Sequence, residues 1–133
     1  MRIKRLFPLK EVDLTTMEPR TFEFAVAVAE LAREVEASVP TPIRDRLVEM
    51  SAAIGADVAE AQGRNGRQIY IDKMNSARHG ARDIAYWLKL VAALAPESAD
   101  DADNLQDEAE SLHNCLVQIC ARARQNAEMR RGA

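Results

Sequence analysis

The stretch that decides the fold reads YIDKMNSARHGARDIAYWLKLV and spans residues 70–91. Its apolar residues recur at intervals of four and three, which is the period of a helix face that packs against other helices. No proline interrupts the stretch, and its one glycine, Gly80, lies off the stripe. The sequence therefore predicts one long helix with a continuous core-facing side. The residues of this stripe are Tyr70, Met74, Ala77, Ala81, Ile84, Leu88 and Val91.

Three other stretches of the chain show the same alternation of four and three. Prolines and glycines separate them at residues 38–42, 63–66 and 96–98, and such residues end helices and form turns. The pattern therefore predicts four helices joined by short connections. The three further stripes run from residue 24 to 35, from 43 to 58 and from 105 to 123.

The four stripes also agree with one another in register. In an antiparallel helical hairpin, the residue numbers of facing positions add up to a constant. The stripes satisfy this condition for each pair of consecutive helices, as in Val28/Ile54, Ile54/Met74 and Ile84/Leu112. Because stripes and turns agree independently, the sequence predicts an all-α fold, an antiparallel up-down-up-down four-helix bundle.

Length and composition place this bundle in a single domain. The chain has 133 residues, of which 47% are apolar and 5% aromatic, and its formal net charge is −3. We expect an N-terminal arm at residues 1–18, the bundle at 19–128 and a flexible tail at 129–133. No apolar run reaches the ~20 residues of a membrane span, and the two cysteines suggest reduced thiols. A cytoplasmic protein without membrane contact is expected.

The residues around the second turn resemble a known family. The run VAEAQGR at residues 58–64 is similar to the IAEGFGR signature of the four-helix-bundle proteins encoded in 23S ribosomal RNA intervening sequences. Residues 77–94 follow the next helix of that family without a gap, and the resemblance covers roughly residues 22–94. The family also looks related to the accessory proteins of diversity-generating retroelements, which form pentameric barrels and bind a reverse transcriptase and nucleic acid. The resemblance implies a non-enzymatic homo-oligomer, a pentamer, with a connection to RNA.

Basic side chains on the third predicted helix form a candidate nucleic-acid-binding flank beside the core stripe. An acidic segment at residues 97–110 contains no lysine or arginine, and family members tend to carry an Arg pair where this chain has Val48-Glu49. The alternative is internal charge compensation, since the register places Lys89 level with Asp107 and Glu108. We therefore expect binding of RNA or DNA to be weak or absent. The flank consists of Arg67, Arg78, Arg82 and Lys89.

Surplus apolar residues on the third helix indicate a covered surface. Helix 1 offers a comparable excess in Val26, Ala27 and Ala29. Either a second copy of the chain covers these patches or the N-terminal arm does, and both are compatible with the sequence. The residues of the predicted oligomer interface are Tyr86, Trp87, Leu90 and Leu94.

Candidate chemistry in the sequence is sparse. Glu110 and His113 have the Glu-x-x-His spacing of di-iron bundles, but the second copy that such a site needs is missing. Cys115 and Cys120 have no acid–base partners at a suitable spacing. We predict no catalytic site, no metal site and no cofactor. Two functions remain: a homo-oligomeric adaptor or scaffold for a protein partner, and alternatively an RNA/DNA-binding accessory protein that uses the basic flank.

Overall fold

The fold consists of four helices in a bundle, as the sequence predicts. The computed structural model describes residues 16–63 and 66–132 of the chain, and no strand occurs among them. A short 3-10 turn at Pro96–Ser98 joins the third helix to the fourth. The helices are α1 at Met17–Glu34, α2 at Thr41–Ala61, α3 at Arg67–Leu94 and α4 at Ala99–Gly132.

Neighbouring helices in the bundle run antiparallel. Each helix packs against the next in the chain, and α4 returns to α1 through a less extensive contact. Lys73, near the start of α3, forms an ion pair with Glu60 at the end of α2. Arg124, near the end of α4, donates a hydrogen bond to Asn75, again near the start of α3. These contacts place the start of α3 beside the ends of both neighbours.

The predicted stripes form the core. Six of the seven stripe residues of α3 are completely buried, and Tyr70, at the end of the stripe, is half-buried. Ile43 and Met50 of α2 are half-buried as well, at the edge of the core. The largest fully buried side chains come from all four helices, so a single core stabilises the bundle. They include Met17, Phe24, Leu31, Leu47, Ile54, Met74, Ile84, Leu88, Leu112 and Leu116.

Both ends of the helical region lie beyond the predicted bounds of the bundle. α1 begins at Met17, and this side chain is completely buried in the core, although the predicted arm extended to residue 18. α4 continues to Gly132, so residues 129–132, predicted as a flexible tail, are helical. Arg130 and Arg131 in the last turn interact favourably with the negative end of the helix dipole. The rest of the predicted arm, residues 1–15, lies outside the described residues.

Two helical glycines differ in how closely the neighbouring helix approaches them. A Cβ atom added at Gly80 of α3 would lie 2.8 Å from Cγ1 of Ile54 on α2. A Cβ atom added at Gly55 of α2 would have its nearest neighbour, the carbonyl oxygen of Thr21, at 3.6 Å. The close α2/α3 contact therefore requires glycine at residue 80, whereas the α1/α2 contact leaves room for a Cβ atom at residue 55.

This difference predicts opposite effects of alanine at the two positions. Alanine in place of glycine within a helix stabilises by about 1 kcal/mol. Gly55→Ala should therefore increase the free energy of unfolding by roughly 0.5–1 kcal/mol. At Gly80 overpacking against Ile54 costs about 1–3 kcal/mol, so Gly80→Ala should give no gain or a loss. Urea denaturation of the two variants beside the unchanged protein measures both effects, and equal stabilisation by both would contradict the close α2/α3 approach.

Candidate functional site

A buried ion pair joins α1 to α4. Nε of Arg20 lies 2.8 Å from Oε2 of Glu108, and Nη2 donates to Oε1 of the same carboxylate at 3.0 Å. The guanidinium also donates to Oγ of Ser111 at 2.6 Å, and its Nη1 lies 3.6 Å from Sγ of Cys115. Arg20 and Glu108 are only 5% and 4% exposed. Two parallel hydrogen bonds of this kind fix the geometry of both side chains.

The electrostatics of this cluster favour the charged form of the arginine. The hydrogen bond from Arg20 to Glu108 raises the pKa of the guanidinium, and the negative charge of the carboxylate acts in the same direction. Desolvation by burial opposes this shift. A charge in the protein interior is tolerated only when it is paired and hydrogen-bonded, and both conditions hold for Arg20.

The register predicted from the sequence places Glu108 level with Lys89 and gives no partner for Arg20. In the structure Glu108 is instead buried against Arg20, and Lys89 is exposed. The signal was present, because Arg20 lies four residues before Phe24 and Glu108 lies four residues before Leu112. Arg20 therefore extends the core-facing stripe of α1, Glu108 lies within the stripe of α4, and the two carry opposite charges.

The predicted basic flank of α3 divides into different environments. Arg82 and Lys89 are exposed, while Arg78 is half-buried and donates from Nε and Nη2 to Oδ1 of Asn75, both at 3.2 Å. Arg124 of α4 donates to the same oxygen at 3.2 Å. Asn75 therefore holds two arginines from different helices side by side, and part of the predicted flank serves to pack α3 against α4.

Arg67, the remaining member of the flank, lines a cavity between the start of α3 and the end of α4. The cavity has a volume of about 220 Å³. Arg122 and Arg130 of α4 line the same cavity, and so does Tyr70 of α3. The contribution of α4 is not among the predicted site residues, because its arginines are far from Arg67 in the chain. Their clustering after residue 121 is the one sequence signal that points to it.

Two titratable groups near this end of the bundle are affected by burial. Burial raises the pKa of the Cys120 thiol, and the neighbouring Arg78 and Arg124 partly offset that effect. Burial likewise raises the pKa of Tyr70, and the positive charge of Arg122 opposes the shift. Both cysteines are free and buried. A protonated, buried thiol is a poor nucleophile, so Cys120 is a packing residue.

The predicted oligomer interface on α3 is partly exposed. Tyr86 and Leu94 expose 65% and 40% of their surface, and we call these two residues the α3 patch. Trp87 and Leu90 are half-buried, and Trp87 packs against the core. The rings of Tyr86 and Trp87 meet edge to face, with their centroids 5.9 Å apart.

A second apolar surface, which the sequence analysis only partly anticipated, lies between α1 and α2. It is a groove of about 740 Å³ whose walls are mainly apolar, and we call it the α1/α2 groove. Phe22 is 66% exposed at its wall, and Val26, one turn further along α1, is 45% exposed. Ala27, predicted as surplus surface, is instead buried in the core. The groove is lined by Glu18, Pro19, Phe22, Glu23 and Ala25 of α1, and by Ala52, Gly55, Ala56, Ala59 and Gln62 at its α2 side.

The Glu-x-x-His pair does not form part of a larger cluster. Glu110 is exposed and His113 is half-buried. Among residues 16–63 and 66–132, no three histidine, cysteine or carboxylate side chains gather in a way that could hold a metal ion. Within the same residues, no helix combines the length and apolar character needed to cross a membrane.

These features define a protein of the antiparallel four-helix-bundle class. Residues 16–118 match the family described as 23S rRNA-intervening sequence protein, and the chain belongs to that family. A crystal structure of a protein of unknown function from the S23 ribosomal protein family of Bacteroides thetaiotaomicron has a similar fold, with a TM-score of 0.73 and 21% sequence identity. The similarity covers 81% of this chain and 97% of that chain. No match was found among curated proteins.

The buried ion pair predicts a strong coupling between Arg20 and Glu108. Arg20→Met or Glu108→Leu alone leaves one buried charge unpaired, and each should lower the free energy of unfolding by about 3–5 kcal/mol. The double variant removes both charges and should lose much less than the two single losses together. Denaturant unfolding of the three variants completes the cycle. Glu110→Leu, at an exposed position of α4, is the control and should change stability by less than about 0.5 kcal/mol.

Additive losses in this cycle would contradict a direct interaction between the two side chains. So would a single variant as stable as the Glu110→Leu control.

Proposed function

We propose that this protein is a non-enzymatic homo-oligomeric scaffold that acts as an adaptor for a protein partner. The observation that carries the proposal is the presence of two exposed apolar surfaces, the α1/α2 groove and the α3 patch. Exposed aromatic residues beside apolar grooves are typical of protein–protein interfaces.

The positions of the two surfaces favour a head-to-tail contact between copies. The groove lies at the start of α1 and the end of α2, whereas Tyr86 and Leu94 lie in the second half of α3. Since the helices are antiparallel, the two surfaces are at opposite ends of the bundle and on different helices. A groove on one copy that accepts the patch of the next copy is a heterologous contact, which closes into a ring when the rotation permits. The family resemblance implies a ring of five.

The adaptor role follows from what such a ring would present. Each copy would contribute the same exposed surfaces at regular intervals, so a partner with weak affinity for one copy would gain avidity from several. Two buried free thiols fit a protein that works in the reducing cytoplasm.

A heterologous contact predicts a specific result when two interface variants are mixed. Phe22→Asp should prevent binding at the groove, and Tyr86→Asp should prevent binding at the patch. Each variant alone should therefore be a monomer. Mixed in equal amounts, they retain one intact groove and one intact patch between them and should form a one-to-one dimer. Size-exclusion chromatography with light scattering at tens of micromolar protein measures each mass.

Met129→Asp is the matched control, because Met129 is 72% exposed and lies outside both surfaces. It should keep the mass of the unchanged protein. A monomeric unchanged protein would overturn the oligomer proposal. If the mixture stays monomeric while the unchanged protein is oligomeric, the contact does not join groove to patch.

A second candidate function, binding of RNA or DNA, is favoured by one observation. The cationic side chain of Arg67 lies beside Arg122 and Arg130, and Arg124 and Arg131 belong to the same part of α4. The positive surface is therefore larger than α3 alone provides. The acidic residues at the start of α4 lie at the other end of this helix. Their negative charge nevertheless weakens the positive electrostatic field that a phosphate backbone would experience.

We expect nucleic-acid binding to be weak, indifferent to sequence and strongly dependent on salt. In filter binding at roughly 150 mM salt with duplex and single-stranded probes, we expect dissociation constants above the micromolar range. Replacing Arg67, Arg82 and Lys89 together by glutamine should remove the residual binding, and Arg78 is left in place because it packs on Asn75. Submicromolar affinity that this triple variant abolishes would instead establish the second function over the adaptor.

A further inference from the structure

Arg67 stands where helix stability disfavours a positive charge. It is the first residue of α3, and the first turn of that helix contains no acidic residue. The preceding Gly66 offers no side-chain cap to the free N–H groups of this turn. The N-terminal end of a helix carries a partial positive charge, so a cation there is repelled. Local stability therefore does not explain why an arginine occupies this position.

Tertiary structure adds to this unfavourable charge instead of compensating it. Arg122 and Arg130 of α4 line the same cavity as Arg67. None of the three guanidinium groups forms a salt bridge with any residue in the ranges 16–63 and 66–132. Three like charges around one cavity repel one another, and residues that violate a local rule in this way are typical of functional sites.

The interior of the cavity is apolar, unlike its charged surroundings. Tyr70 and Ile119 form part of its wall, and Asn126 adds an amide that can donate and accept hydrogen bonds. At about 220 Å³ the cavity is smaller than an ordinary ligand pocket and has room for a ring-sized group. A ligand that suits both the apolar wall and the surrounding arginines needs a planar apolar body and a strongly anionic group.

We propose that this cavity binds a phosphate monoester attached to a planar ring, as in a nucleoside monophosphate. The ring would lie against Tyr70 and Ala123, and the phosphate would remain at the arginines. Arginine matches phosphate because its planar fork donates two parallel hydrogen bonds, and the same plane stacks on rings. A dianion suits three positive charges better than a monovalent carboxylate. The site is complete within one copy and does not depend on the proposed oligomer.

Isothermal titration calorimetry with adenosine monophosphate, adenosine and inorganic phosphate tests the proposal on the full-length protein. Adenosine monophosphate should bind at least ten times more tightly than either part alone, because only it fills the cavity and reaches the arginines. Uridine monophosphate should bind within a few-fold of adenosine monophosphate if the wall recognises the shape of a ring.

Matched arginine variants locate the site. Arg67→Gln and Arg122→Gln should each weaken adenosine monophosphate binding at least five-fold, and Arg46→Gln, at an exposed position of α2, should leave it unchanged. Thermal melting of each variant without ligand checks that the fold is retained, and Tyr70→Leu tests the ring contact. The proposal is overturned if adenosine monophosphate binds no better than inorganic phosphate, or if Arg46→Gln weakens binding as much as Arg67→Gln.

Discussion

The ion pair between Arg20 and Glu108 closes the bundle. Three of the helix–helix contacts join neighbours in the chain and are supported by short connections, but the contact between α1 and α4 has no such support and is the least extensive. Arg20 binds the carboxylate, Ser111 and the thiol of Cys115 together, so one side chain of α1 is tied to two turns of α4. An apolar contact would tolerate sliding, whereas the two parallel hydrogen bonds specify a single register. The register of α1 against α4 is therefore fixed by this pair, whereas the α1/α2 groove is formed by the more extensive contact between α1 and α2.

The fold could be predicted from the sequence because its stripes obey one simple rule. Residues on one face of a helix recur every three or four positions. The burial of Leu88 or Ile84 can therefore be predicted from residues nearby in the chain alone. Arg20 and Glu108 place charges at positions where the stripe predicts apolar residues. Their burial is explained only by their pairing, and they are 88 residues apart in the chain. The same limit hid the arginine cavity, because Arg67 and Arg130 become neighbours only once the direction of α4 is known. Phe22 was missed since an exposed aromatic residue beside a stripe has no periodic signal of its own.

Charge and apolar surface are unevenly distributed along the bundle. The end that contains the start of α3 carries the arginine cavity, and the opposite end contains the acidic first turns of α4. Apolar surface also divides along the bundle, because the groove lies at the end of α2, which precedes the start of α3, and the α3 patch lies in the second half of α3. In the proposed head-to-tail arrangement the acidic end of one copy would approach the basic end of the next. Electrostatic complementarity of this kind orients partners and speeds their encounter.

The unequal length of the helices has a consequence for the dynamics of the arginine cavity. α4 has 34 residues and α3 has 28, which correspond to about 51 Å and about 42 Å. The last turns of α4, including Arg130, are exposed, so few tertiary contacts oppose their local unfolding. Backbone amides there should exchange with solvent much faster than those around Leu116. An anion that joins Arg130 to Arg67 would order these turns, and part of its binding energy would appear as protection from exchange.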